Sequence, residues 1–414
     1  MVSVTAPVGE WPEDGSVSSE LLLENGWTPV GFGQFLFKVV SRCNLNCSYC
    51  YVYNLQDDSW RSKPRVMSDE VIDQAVLRIA EHAAEHHLTR AGVVLHGGEP
   101  LLAGLGFFRN FVGRVRRGLP DLDLRFTVQT NGTLLTGEVL DTFRELGVIA
   151  GISIDGGREA NDAHRLYPSG RSSYDEVVRA VALINEPRHR NQFAGLLCTI
   201  DITQPSLDVY HSLLELDPPW VDLLLPHGTW SAPPPGLESV ADVSPAPTPY
   251  ADWLIPIFDE WYSQRTKPVQ IRIFEEIMNL LMGGRSRYES FGVQPVNLLV
   301  IESDGTLEQV DSLKAAFNGA AATGLNVFDN SFDDALHTPA VIARQIGYRG
   351  LCQTCLSCDL VSVCGGGLYP HRHKVGTGFL NPSVYCADFK KLIGHVRARL
   401  ERDLNSVRLP EAVG

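Results

Sequence analysis

The sequence predicts an α/β fold: a partial (β/α)6 barrel followed by a smaller, cysteine-rich domain. Three observations predict it. Six short apolar runs alternate with amphipathic runs between residues 34 and 230, the pattern of parallel strands joined by helical crossovers. The glycine and polar clusters fall directly after those runs, where (β/α) barrels carry their chemistry. Of nine cysteines, eight gather in two groups, 43–50 and 352–386, towards opposite ends of the chain. Six units are two short of a closed barrel, so the barrel is partial.

Composition narrows the function. The chain has 414 residues, with 35 Lys and Arg against 49 Asp and Glu, for a net charge of −14. A general nucleic-acid binder needs a basic footprint, which this balance opposes. No run of about 18 apolar residues appears, so no membrane helix is expected. The N-terminus lacks the basic and apolar regions of an export signal. A cytoplasmic location follows, where thiols stay reduced and serve metals or catalysis.

Residues 1–33 carry little periodicity and read as a tail or surface arm. The first strand is QFLFKVV (34–40), running into Cys43. Ser68 is a plausible N-cap, with Asp69 and Glu70 in the first turn and an apolar stripe of Val71, Ile72, Ala75, Val76, Ile79 and Ala83. Strands then recur at 92–100, 124–132, 148–156, 193–201 and 220–228. Helices are expected at about 104–117, 134–146, 173–185 and 207–216. The proline-rich stretch 231–249 is a linker, and two helices follow it at about 249–265 and 270–284, so 231–296 bridges two domains. From 297 short strands, turns and cysteines mark the second domain, ending in a helix at about 388–404.

Cys43, Cys47 and Cys50 form C-x3-C-x2-C after the first strand. Three thiolates at this spacing suit a 4Fe–4S cubane with one open iron, or a zinc loop completed by a residue such as His96. The stretch resembles the radical S-adenosylmethionine (SAM) superfamily, with Tyr49 at the aromatic position of its C-x3-C-x-aromatic-C motif. Gly97, Gly98, Glu99 and Pro100 match the GGEP segment, which implies contacts with the SAM amino group. Gln129, Thr130 and Asn131 match the polar loop after strand three, Ser153 and Asp155 the SIDG segment, and Arg165 a basic residue implied to meet the SAM carboxylate. The resemblance implies that the cluster binds SAM and that SAM cleavage yields a radical that takes a hydrogen atom from the substrate.

Cys352, Cys355, Cys358, Cys364 and Cys386 form the second group, too many for one zinc site. This part resembles the SPASM extension of radical SAM peptide maturases, which usually has seven cysteines and two auxiliary clusters. Cys355, Cys358, Cys364 and Cys386 match one complete 4Fe–4S cluster. Val310 and Leu368 stand where the pattern has further cysteines, so the other cluster is expected to be absent. Cys352 has no counterpart and is a candidate replacement ligand. Asp311 follows Val310; in sulfatase-maturing relatives an Asp there is read as the substrate base, and the plain alternative is a turn or salt-bridged Asp.

The segments at 301–314, 364–373 and 378–386 look closest to the FxsB family of cyclophane-forming peptide maturases. That resemblance implies a crosslink between an aromatic ring carbon and the β-carbon of a nearby residue in a ribosomally made precursor peptide. A reducing partner such as flavodoxin or ferredoxin is implied as well. Thioether formation, epimerisation, formylglycine formation and a non-enzymatic metal scaffold are the alternatives. The 33 residues before the first strand are too few for a leader-binding domain, so the precursor is expected to dock on the barrel, the 231–249 loop or the second domain. Cys198 lies inside an apolar strand and reads as core. His82, His86 and His87 read as a solvated helix face, and His227 as a residue of the active face.

Overall fold

The computed structural model describes residues 10–238 and 245–407. The parts of the expected tail (1–9) and linker (239–244) that fall elsewhere lie outside the described residues. Ten strands form one sheet: β1 (Gln34–Val40), β2 (Arg90–Gly97), β3 (Asp123–Thr130), β4 (Val148–Ser153), β5 (Phe193–Thr199), β6 (Trp220–Leu224), β7 (Gln270–Ile271), β8 (Leu298–Ile301), β9 (Thr306–Glu308) and β10 (Ala322–Asn326). Their order is β10-β9-β8-β1-β2-β3-β4-β5-β6-β7, and the row from β8 to β7 is parallel throughout. The six expected strands are its centre. Two further parallel strands flank them, and β7 and β8 do not pair, so the barrel stays open.

The segment from 297 onward does not begin a separate sheet, because β8 pairs with β1 and the β9–β10 strands extend the same sheet. Both added parallel strands are short, two residues in β7 and four in β8. Neither is long enough to show a strand period in sequence.

Helices cover the outer face. The helix Asp69–Glu85 starts where the Ser68 hydroxyl accepts from the Val71 N–H, and it buries the expected stripe. The expected helix at 134–146 begins instead at Gly137, because the Thr136 side chain caps Val139 N. Phe37 of β1 packs edge-on to Phe111 at 5.0 Å, both fully buried. Each such ring contributes roughly 1.5–3 kcal/mol by leaving water.

The arm before β1 is docked rather than loose. Trp11 is buried against Tyr369, and its carbonyl accepts from Phe379 N at 3.2 Å. Trp11, Leu313, Ala316, Tyr369 and Phe379 form a small second core, onto which Val310 packs.

One helix face departs from expectation. His82 is 1% exposed, not solvated. Its Nε2 accepts from Phe32 N at 2.8 Å, so Nδ1 carries the proton and donates to Asp333 Oδ1 at 2.9 Å. His86 Nε2 lies 2.6 Å from the same oxygen. These three side chains cluster closely enough to hold an ion. However, both His82 nitrogens are already committed, so the group ties the helix Asp69–Glu85 to Phe332–Leu336 instead.

Candidate active site

The C-terminal ends of β1 to β6 converge on a cavity of about 210 Å³. Cys43, Cys47, Cys50, Tyr49, Gly97, Gly98, Gln129, Asn131, Ser153 and Arg165, all named from sequence, line it together with Tyr51, His96 and His227. Glu99 and Asp155 stand behind this wall.

The cysteine loop is anchored from β3. Asn131 Nδ2 donates to Asn44 Oδ1 at 2.8 Å and lies 3.8 Å from Cys43 Sγ. Glu99 is fully buried and accepts from Thr130 Oγ1 (2.8 Å), Asn131 N (2.7 Å) and Leu101 N (3.0 Å), which locks the β2 and β3 loops together. Gly98 is required by contact: a Cβ there would lie 2.1 Å from the Tyr53 hydroxyl and 2.3 Å from the Arg42 carbonyl. Gln129 donates to Ser153 Oγ at 2.9 Å across β3 and β4.

A buried charged group closes the other side. Arg165 donates to the Tyr49 hydroxyl at 2.8 Å, and that hydroxyl donates to Asp155, which also accepts from Thr199 N. Arg165 Nε is buried without a protein partner. A guanidinium lining a cavity with a donor unspent suits a carboxylate, as SAM offers.

The thiols fit an iron–sulfur cluster better than zinc. A tetrahedral zinc with Zn–S bonds of about 2.3 Å holds its sulfurs about 3.8 Å apart. Among the described residues, no three thiols lie within 4.8 Å of one another, and His96 does not join Cys43, Cys47 and Cys50 in such a group. Burial pushes the Cys43 thiol up to about 12 and raises Cys47 and Cys50 as well. Three thiolates here therefore need a cationic metal centre, and the wide spacing of the sulfurs suits a cubane better than a single zinc ion.

Asp311 lies one layer behind the cavity. Its Oδ2 meets Lys38 Nζ at 2.8 Å, accepts from the Tyr51 hydroxyl at 3.1 Å and lies 3.7 Å from His96 Nδ1. The β1–β2 register places Lys38 opposite His96. Burial alone would raise the Asp311 carboxyl, but Lys38 and then His96 outweigh it and hold it well below the usual range. Burial lowers His96 and His227 to about 4, so both imidazoles stay neutral near pH 7. Tyr51 packs edge-on to His227 at 4.8 Å, and His227 Nδ1 is 3.2 Å from His371 Nε2, which links the barrel to the cysteine-rich segment. Leu368 and His371 line a neighbouring cavity with His227.

Beside this site lies a second buried ionic group. Lys314 Nζ meets Glu302 Oε1 at 2.7 Å and Glu308 Oε2 at 2.9 Å. Burial, then the Glu302 charge, raises Glu308 to about 8, against the pull of Lys314 and Lys63. The folded chain thus binds a proton on Glu308 between about pH 4.5 and 8 that the unfolded chain does not. Stability from this group is full below the unfolded value and is lost as pH rises towards 8. Glu308→Gln is expected to reduce the loss of stability between pH 5 and 8 by roughly 1–3 kcal/mol, measured by anaerobic denaturant unfolding at both pH values; an unchanged difference contradicts the assignment.

The five later cysteines also come together. The neighbouring Cys355 thiol lowers Cys352, and Cys352 in turn raises Cys355. Burial raises Cys364 to about 11, and Cys386 and Cys358 act on it. Cys198 is fully buried in β5, as expected of core. The sequence reading passed over Lys38, Tyr51, Lys314 and Arg372. A lysine inside the apolar run QFLFKVV was a usable signal, since a buried ammonium requires a partner.

Residues 37–197 match the family described as the Radical SAM superfamily. Over 372 residues, 86% of each chain, the protein is 25% identical to a serine-type anaerobic sulfatase-maturating enzyme of Bacteroides thetaiotaomicron. It is 25% identical over 376 residues to a cysteine-type anaerobic sulfatase-maturating enzyme of Clostridium perfringens, covering 89% of this chain and 97% of that one. Among solved structures, anSMEcpe with bound AdoMet aligns with a TM-score of 0.74 at 23% identity, over 90% of this chain and 99% of that one. Streptococcus suis SuiB bound to precursor peptide SuiA aligns at 0.55 and 12% identity, over 89% and 78%. Among the described residues no helix is long and apolar enough to cross a membrane. The cysteine loop, the strand-end cavity and these likenesses agree: the chain has the α/β radical SAM fold, and its residues 37–197 match a family that uses a 4Fe–4S cluster and SAM.

Proposed function

We propose that the chain is a radical SAM peptide maturase, acting on a ribosomally made precursor and joining an aromatic ring carbon to the β-carbon of a nearby residue. The observation that carries the reading is the cavity that gathers Cys43, Cys47 and Cys50 with Tyr49, Gln129, Ser153 and Arg165 in front of Lys38 and Asp311. When bound, the cluster and SAM supply a radical able to take a hydrogen atom from an unactivated carbon. Gly97 and Gly98 let the backbone approach SAM, Arg165 takes its carboxylate, and Tyr49 is held by Asp155 and Arg165. Lys38 keeps Asp311 ionised and a weak base, so the proton it accepts through the Tyr51 hydroxyl that lines the cavity is a strongly acidic one, that of the ring adduct once it has lost an electron. Cys355, Cys358, Cys364 and Cys386 hold one auxiliary 4Fe–4S cluster, with Cys352 as the adjacent spare thiol. A flavodoxin- or ferredoxin-like protein is the reductant.

Val310 and Leu368 favour crosslinking, because both positions are apolar where a second auxiliary cluster would need thiols; Val310 packs onto the small core around Trp11. Formylglycine formation is the second reading, favoured by the sulfatase-maturating relatives. Coexpression with short open reading frames from the same locus, followed by mass spectrometry, separates them. Crosslinking predicts loss of two hydrogens and no fragmentation between the joined residues. A modified Cys or Ser with normal fragmentation around it supports formylglycine, and an unmodified peptide beside intact clusters contradicts both.

A further inference from the structure

Arg372 is buried in an unusual way. Its Nε donates to the Gly366 carbonyl at 3.1 Å, and its Nη2 donates to Gly365 and Gly367 at 2.7 Å each. These three glycines directly follow Cys364. All three have left-handed φ, +60°, +82° and +69°, which turns successive carbonyls towards one guanidinium. A Cβ on Gly366 would lie 2.9 Å from Arg372 Cζ, so only glycine admits the fork this close.

The carbonyls solvate the guanidinium but do not neutralise it. Among the described residues no carboxylate lies within 4.0 Å of Arg372. After burial itself, the groups acting on it most strongly are Tyr369, Cys355, Cys364 and Cys352. Arginine does not shed its proton in proteins, and a buried unpaired ion costs several kcal/mol. Tyr369 offers only its ring face, 5.6 Å from Cζ, and the other strong neighbours are thiols, so a balancing anion belongs on the thiol side. A cubane held by four thiolates is such an anion, and it gains a further negative charge on reduction.

We propose that Arg372 is the buried counter-charge of the cluster held by Cys355, Cys358, Cys364 and Cys386, and that it sets that cluster's reduction potential. This rests on the auxiliary cluster assigned under the proposed function, but not on which bond the enzyme makes. A fixed positive charge stabilises the more negative, reduced state, and net charge is one of the levers on such potentials. The role is positioning and electrostatic: Arg372 holds the glycine loop and biases the cluster towards accepting an electron.

The test is a redox titration of the full-length, iron-loaded chain followed by electron paramagnetic resonance. The SAM-binding cluster is identified by the change in its signal when SAM is added. Arg372→Gln is expected to lower the potential of the other cluster by at least about 59 mV, a tenfold change in the one-electron equilibrium. Arg372→Lys keeps the charge and is expected to stay near the wild-type value. A wild-type potential in Arg372→Gln overturns the proposal, as does an equal fall in Arg372→Lys, which would assign the effect to the fork and not the charge. If Arg372→Gln fails to load iron, Arg372→Lys decides: loading at wild-type potential supports the proposal, and a lowered potential overturns it. A wild-type chain that holds only the SAM-binding cluster removes both the proposal and the auxiliary cluster beneath it, while leaving the peptide product to be settled separately.

Discussion

Cys47→Ala is expected to bring 5′-deoxyadenosine production to background and to halve the iron content. Cys47 is one of only three thiols at the cavity, and among the described residues no fourth His, Cys, Asp or Glu ligand closes around them. Losing it leaves two ligands for a cubane that needs at least three from this loop. The auxiliary cysteines are separate in the chain, so their iron, about four atoms, is expected to remain. Cys198→Ala is the internal control. That thiol is also fully buried, yet it sits in the β5 core and touches no cluster, so its loss is expected to cost about 1 kcal/mol of stability and leave the iron in place. Iron analysis and chromatographic detection of 5′-deoxyadenosine on the two variants check both statements. Equal iron in Cys47→Ala and wild type would contradict the ligand assignment.

Lys314→Met is expected to be the most destabilising single change outside the cysteines. The Lys314, Glu302 and Glu308 side chains are 1%, 3% and 6% exposed. Removing the ammonium leaves two carboxylates in one dry site, a loss of about 3–5 kcal/mol. Glu308 is already pushed towards its protonated form, so Glu302 carries most of the stranded charge. Adding Glu302→Gln to Lys314→Met is therefore expected to restore a large part of the stability, a non-additive result that a double-mutant cycle reads directly. Denaturant unfolding of the four chains under anaerobic conditions measures it. Additive losses would mean that the three groups do not act as one unit.

These two sites were not equally visible in the sequence. The cysteine loop, Gly97–Gly98, Gln129–Asn131, Ser153 and Arg165 each follow an apolar run, and a parallel strand order carries those run ends to one rim; residue type and position together were enough. The Lys314 group was not legible, because its partners lie just past the end of β8 and in β9, and β8 is only four residues long. Nothing in LLVI reveals that it will pair with β1. Lys38 lay between these cases. Its place in QFLFKVV announced a buried cation, but its partner Asp311 is 273 positions away in sequence. The histidines of the helix Asp69–Glu85 misled for the same reason. Polar residues at i and i+4 ordinarily face water, and here Asp333 and the Phe32 N–H draw His82 inward. Arg372 had a signal of its own: three successive glycines after Cys364 leave room for a side chain to come close.

The cysteine assignment proposed here gives the chain two cubanes and only two. Iron, acid-labile sulfide and zinc measured together on the anaerobically purified full-length protein test it most directly. About eight irons and eight sulfides per chain are expected, with no zinc. About twelve irons would show that a second auxiliary cluster forms despite Val310 and Leu368, and stoichiometric zinc with little iron would contradict the radical mechanism altogether.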